Sequence, residues 1–168
     1  MYNLKEEVLK ENSRKQCDSI VAWVGDNQKK FDELFLLFIS NDYRLIQNSS
    51  WTVNYCVEAN PHLLKKHFDA LVKQLQNPTA HNALKRNTVR LLQHYPIPKK
   101  HKGTIMNLCF TFIEDVKEKA AVKAFSLTVL QNLAKEFPEI IPEIKLIVQE
   151  RWSVEGSAFR SRGKVFMK

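Results

Sequence analysis

The chain has 168 residues, is 44% apolar and carries a formal net charge of +8, so it can bury a continuous core without help from disulfides or metal. Glycine is scarce at four residues, while Leu, Lys, Glu, Gln, Ala and Asn are plentiful, a mixture that favours helix interiors over strands and hairpins and predicts an all-α fold. The charged N-terminus MYNLKEEVLKENSRKQ lacks a signal-peptide core, no apolar run reaches bilayer length, and Cys17, Cys56 and Cys109 are odd in number and far apart, which excludes a membrane partner and a disulfide framework and predicts a cytoplasmic chain with reduced, packed thiols.

In chain order, apolar periodicity predicts about ten helices, over 2–12, 14–24, 27–39, 42–59, 62–76, 80–94, 100–114, 118–136, 139–151 and 155–167. The first two form an N-terminal cap over 1–26, in which the run Ile20-Val21-Ala22-Trp23-Val24 puts Trp23 in the core. Three helix pairs follow over 27–60, 61–98 and 99–137, and a C-terminal cap over 138–168 completes a single domain. Turn formers at Asn41-Asp42, Asn77-Pro78-Thr79 and Glu114-Asp115 link the two helices within a pair. Asn60-Pro61, Tyr95-Pro96-Ile97-Pro98 and Phe137-Pro138 separate successive pairs, because proline lacks the donor that a helix interior requires.

The pairs repeat at an offset of 38 residues. Ile46, Leu84 and Val122 align, as do Ser50, Thr88 and Ser126; Trp51, Val89 and Leu127; Val53, Leu91 and Val129; and Val57, Tyr95 and Leu133. Within each copy these positions trace one helical face with a small residue set into the apolar stripe, where a neighbouring helix can come close. The same offset aligns Leu34, Val72, Phe110 and Val148 on the preceding helix, with Leu37, Leu75 and Ile113 one turn on. Trp51 therefore falls in a core register.

The segments Leu84-Lys85-Arg86-Asn87-Thr88-Val89-Arg90-Leu91-Leu92 and Val122-Lys123-Ala124-Phe125-Ser126-Leu127-Thr128-Val129-Leu130 resemble the second helix of a HEAT repeat. The shared pattern is an aliphatic residue, then a basic one, a small residue three further on, and a leucine. Ile46 to Asn54 departs from it, with Gln47 in the basic position. The resemblance runs over roughly residues 27 to 151 and implies a short α-solenoid of HEAT or armadillo-like antiparallel helix pairs. HEAT-like proteins include scaffolds, transport factors, nuclease-associated modules and DNA alkylation repair glycosylases, so the fold sets only a prior on function. The chain is also similar to short bacterial HEAT-like proteins, some of which carry the name adenylosuccinate lyase. It has no serine-rich lyase signature loop and is far shorter than that enzyme's helical bundle.

Charge is concentrated. Residues 61–102 hold nine Lys or Arg against the single acid Asp69, a surplus of +8, and residues 151–168 add +4. Residues 1–60 and 103–150 each give −2. His62, His67, His81, His94 and His101 all lie in the central segment, so mild acid would make it more positive. Arg86, Arg90 and Gln93 lie opposite the apolar stripe of their helix, and the equivalent positions one repeat earlier are Asn48, Thr52 and Tyr55. The resemblance implies that second helices line a concave binding face. Lys85, Arg86, Arg90, Gln93, Tyr55, Asn48 and Lys123, with Arg160 and Arg162 from the basic tail, are the expected partner contacts.

Catalytic patterns are sparse. His62 and His67 are five apart and cannot share a helical face as the two imidazoles of HExxH do, so no metal and no cofactor are expected. Asp69, flanked by Lys65 and Lys73, reads as part of a surface ion-pair cluster. HEAT-like glycosylases use tryptophans against a damaged nucleotide; here Trp51 and Trp23 read as core, and Trp152, beside Arg151, is the open case. The tail around Phe159, Val165 and Phe166 suits an amphipathic capping helix, with a phosphate-contacting arm as the alternative. The sequence thus predicts a non-catalytic module presenting a curved helical surface to a protein partner. The alternative is nucleic-acid binding through residues 61–102, related to HEAT-like alkylation repair.

Overall fold

In the computed structural model, which describes residues 1–168, the early helices begin where side chains can cap them. Helices α1 (Leu4–Lys10), α2 (Arg14–Val24), α3 (Gln28–Phe38) and α4 (Tyr43–Ala59) follow Asn3, Ser13, Asn27 and Asp42. Each cap's side-chain oxygen accepts an orphan helix N–H, from Glu6, Gln16, Lys30, and both Arg44 and Leu45. Such a cap is worth about 1 kcal/mol. The Asn3 cap, and extended backbone at Glu11, shorten α1 from the predicted 2–12. Helix α2 ends at Gly25, whose φ of 51° is a left-handed value that glycine adopts without strain.

The chain is all-α, with ten helices and no strand, and packs as two compact units, Met1–Thr88 and Val89–Lys168. In the first unit α3 and α4 form a hairpin around Phe31, Leu34, Phe35, Phe38, Val53 and Val57, each at most 4% exposed. Burying one such side chain stabilises by about 1.5–3 kcal/mol. The helix predicted over 62–76 divides into a 3-10 segment, Pro61–His67, and α5 (Phe68–Gln76). Leu63 and Leu64 are adjacent and both fully buried, and Gln28 donates an amide hydrogen bond to the Leu63 carbonyl at 2.9 Å, so the tighter coil is held by its surroundings. Helix α6 (Asn82–Leu92) starts in this unit, where the His81 ring Nδ1 accepts the Ala83 N–H at 3.0 Å, and its last residues belong to the second.

The second unit contains α7 (Lys99–Glu114), α8 (Ala120–Ala134), α9 (Ile141–Arg151) and α10 (Ser157–Gly163). Pro98 precedes α7, and Pro138 opens a 3-10 turn before α9. Ile105, Cys109, Ile113, Val122, Leu127, Leu130, Ile144, Val148 and Phe159 are all completely buried. Helix α10 lies on α8, and a Cβ added at Gly163 would fall 2.9 Å from Val148 Cγ1, so glycine lets the tail come this close. With Phe159 and Phe166 buried, the tail is a packed cap.

The 38-residue register is visible in burial. Ile46, Leu84 and Val122 are 3%, 2% and 0% exposed, and the small positions Ser50, Thr88 and Ser126 are 1%, 1% and 0%. Three expectations need correction. On α7 it is Cys109, one residue before Phe110, that is fully buried, and Phe110 keeps partial exposure. Trp51 is 43% exposed, although its register mates Val89 and Leu127 are completely buried. The reason is local: α10 runs over Leu127, whose Cδ1 lies 3.7 Å from the Cβ position of Gly163, whereas α1 and α2 approach α4 on the side of Asn48 and Thr52 and leave position 51 open. Trp23 is likewise half-buried, not core; Tyr2 stacks on its ring at 4.3 Å and Lys30 Nζ lies 4.7 Å from the ring centroid. No helix is long and apolar enough to cross a membrane.

Candidate functional site

The outward face of α4 is where the sequence put the first part of a binding surface, and much of it is occupied from within. Asn48 donates its amide to the Val8 carbonyl of α1 at 3.0 Å. Thr52 is buried and its hydroxyl lies 3.6 Å from the Cys17 sulfur of α2. Tyr55 accepts a 2.8 Å hydrogen bond from Arg14, whose guanidinium also lies 4.3 Å above the tyrosine ring, while its Nε donates to Asp18. Among the residues that stay open on α4, which include Tyr43 and Glu58, are Arg44, Trp51 and the exposed part of Tyr55, two turns and then one turn apart. Arg14 and Arg44 went unremarked in the sequence, where nothing but helical projection could have linked them to this stripe.

On α6, Lys85, Arg86 and Arg90 are half-exposed, with Arg86 and Arg90 one turn apart and held by no ion pair. Gln93 is buried at 7%; its amide donates to the Arg90 carbonyl and its Oε1 accepts from Arg162 at 2.8 Å. Arg162 also donates to the Thr128 hydroxyl at 2.7 Å, fastening α10 to α8. Arg160 donates to the Glu155 carbonyl at 2.8 Å and to that of Trp152 at 3.4 Å, where the chain leaves α9. Lys123, expected on the binding face, is 2% exposed, and its ammonium donates to Glu155 Oε1 at 2.7 Å. Arg151 donates to the same oxygen. Burial alone would raise the Glu155 carboxyl, but hydrogen bonds and charge from Lys123 and Arg151 outweigh it and hold the group below the usual range.

Acids from other helices neutralise part of the basic central segment. In the first unit Asp26 meets His62 at 2.6 Å, and Asp32 meets both Lys66 at 2.5 Å and His67 at 2.6 Å, while the His67 ring stacks on Phe35 at 4.3 Å. Burial pushes the Asp32 carboxyl up, yet hydrogen bonds from Lys66, Gln28 and His67 bring it down to about 2. In the second unit Lys102 pairs with Glu136. A count of +8 along the sequence therefore overstates the positive charge that the folded segment presents.

Burial pushes the Cys56 and Cys109 thiols up to about 12, which removes the thiolate that nucleophilic or metal chemistry would use. No three His, Cys, Asp or Glu side chains converge as metal ligands would. The surfaces left open include an aromatic and guanidinium stripe on α4, and cations on α6.

A family model for the HEAT repeat domain matches residues 4–157. No curated protein and no solved structure matches the chain. With helix pairs repeating every 38 residues and that match over nearly its whole length, the chain belongs to the HEAT repeat family.

Proposed function

We propose that the chain is a non-catalytic binding module that presents a helical surface to a protein partner. HEAT repeats commonly serve as scaffolds for protein interactions, and one observation here carries the reading further. Trp51 is 43% exposed in a register that buries Val89 and Leu127, and it lies on one helix face with Tyr55 and Arg44. Trp, Tyr and Arg are enriched among the residues that dominate protein–protein binding energy. An exposed tryptophan gives up roughly 1–2 kcal/mol of available burial unless something covers it.

The test is to recover a partner from the native cell extract, purify it, and titrate it against the chain and against Trp51→Ala and Arg44→Ala. Loss of affinity by about tenfold or more for Trp51→Ala, with an unchanged melting curve, is the expected result. A purified partner that binds both variants as well as it binds the native chain refutes the assignment of this face.

A second reading, nucleic-acid binding through α6, draws support from Arg86 and Arg90, which no acid neutralises. It requires duplex DNA or RNA to bind with a steep salt dependence that Arg86→Glu with Arg90→Glu abolishes. No binding at low salt eliminates it.

A further inference from the structure

The second unit contains a groove of about 410 Å³ lined by Glu114, Glu143, Leu146, Ile147, Glu150 and Arg151. Along α9 the exposed residues are Ile141, Pro142, Glu143, Leu146, Gln149 and Glu150, with Lys145 half-exposed; Glu143 and Glu150, with Glu139 one turn before the first, form an acidic stripe on one side, interrupted by a leucine that is 55% exposed. Glu114, at the end of α7, faces it from the other wall. None of these glutamates is in an ion pair; Arg151 is the one cation in the lining, its Nε and Nη2 donating to Glu155 and its Nη1 to the Glu114 backbone carbonyl, so the groove sets three carboxylates against one guanidinium. A protein that is +8 overall thus carries a local run of unpaired carboxylates around an apolar centre.

We propose that this groove docks a basic amphipathic segment of another protein, one turn of which seats an apolar side chain on Leu146 and Ile147 while flanking Lys or Arg meet Glu114, Glu143 and Glu150. The stripe from residue 139 to residue 150 spans roughly 16 Å, which matches about three turns of a helix lying alongside α9. Charge complementarity selects this occupant. An acidic segment would be repelled locally, and a neutral apolar one would leave the carboxylates partly desolvated without partners. The surface belongs to the other unit from Trp51, so this proposal and the α4 assignment stand or fall separately.

The charge of the whole chain makes the experiment discriminating. A cationic peptide is repelled by a +8 protein at long range, so attraction has to come from a local acidic surface. The probe is a fluorescein-labelled 14-residue amphipathic peptide built from leucine and lysine, with a counterpart that has glutamate at every lysine. Anisotropy titration of the full chain should show binding of the lysine peptide and a loss of about tenfold or more for Glu143→Lys with Glu150→Lys, whereas any binding of the glutamate peptide to the basic surface should survive those substitutions. Leu146→Ser should weaken binding about fivefold, and Arg86→Glu with Arg90→Glu should not weaken it. All the substituted residues are exposed or half-exposed, and a far-UV circular dichroism melt checks that each variant folds. Equal binding by the Glu143→Lys, Glu150→Lys variant overturns the proposal, as does no binding at 50 mM salt. If light scattering shows a dimer of the chain that the same substitutions dissolve, a second copy fills the groove and the proposal also fails.

Discussion

Replacing Glu155 by glutamine leaves the Lys123 ammonium buried beside a neutral amide. The two side chains are 3% and 9% exposed and meet at 2.7 Å, so little solvent can take over the lost charge. Removing one partner of a buried pair costs about 3–5 kcal/mol, because the remaining charge keeps its desolvation penalty and loses its compensation. Lys123→Met should cost less, about 1–2 kcal/mol, since Glu155 retains Arg151 as a partner. The double variant should be more stable than Glu155→Gln alone, which gives a coupling energy of about 2–3 kcal/mol in the cycle. Urea unfolding followed by circular dichroism measures all four. The pH dependence has a definite sign: the folded Glu155 carboxyl lies below its unfolded value of 4.5, so its contribution is fully present above that pH and fades as the pH falls below it. The gap between the native chain and Glu155→Gln should therefore narrow on acidification. A cost under about 1 kcal/mol at pH 7, or a double variant weaker than Glu155→Gln, would show that Lys123 has another partner or reaches water.

Asp32 offers a second titration. Its carboxyl at about 2, against an ordinary 3.8, gives a contribution that solvent screening holds to about 1 kcal/mol, present above about pH 4 and lost as the pH falls toward 2. Asp32→Asn should flatten stability across that window, as read by acid titration of the melting temperature. Gly163→Ala should destabilise by about 1–3 kcal/mol, since the new methyl meets Val148 at 2.9 Å against a β-branched, fully buried neighbour. Gly103→Ala is its control, with nothing within 4 Å of the new atom, and should stabilise by about 0.5–1 kcal/mol through helix propensity. Chemical denaturation separates the two, and a neutral Gly163→Ala would mean that α10 can shift away from α9.

Most of the fold was legible because burial and periodicity are the same information. The residues spaced 38 apart through Ile46, Leu84 and Val122 are the ones the structure excludes from water, and the prolines mark the joints. Helix ends were less legible. Asn3 caps α1 inside the predicted 2–12, whereas Asp42, the predicted first residue of its helix, is the observed cap of α4. The site was read worst, since helical projection tells which side of one helix faces out but not which other helix comes to cover it. Lys123 occupies the basic position of its motif, as Lys85 does, yet the turn before α10 brings Glu155 to it and closes it off.

That failure also explains why Trp51 reads as core in the sequence. Register assigns equal environments to equivalent positions, and this holds only where equivalent neighbours exist on both sides. In the first unit the neighbours of α4 are the irregular α1 and α2, which take Asn48 and Thr52 and stop short of position 51. In the second, α10 takes Leu127 and Thr128. The caps thus spend parts of the outward faces of α4 and α8 on folding, Gln93 joins them through Arg162, and what the caps leave open includes the aromatic stripe around Trp51, the cations of α6 and the acidic groove beside α9. In a repeat protein this short, the place to look for binding residues is where a terminal helix leaves a core-register side chain in water.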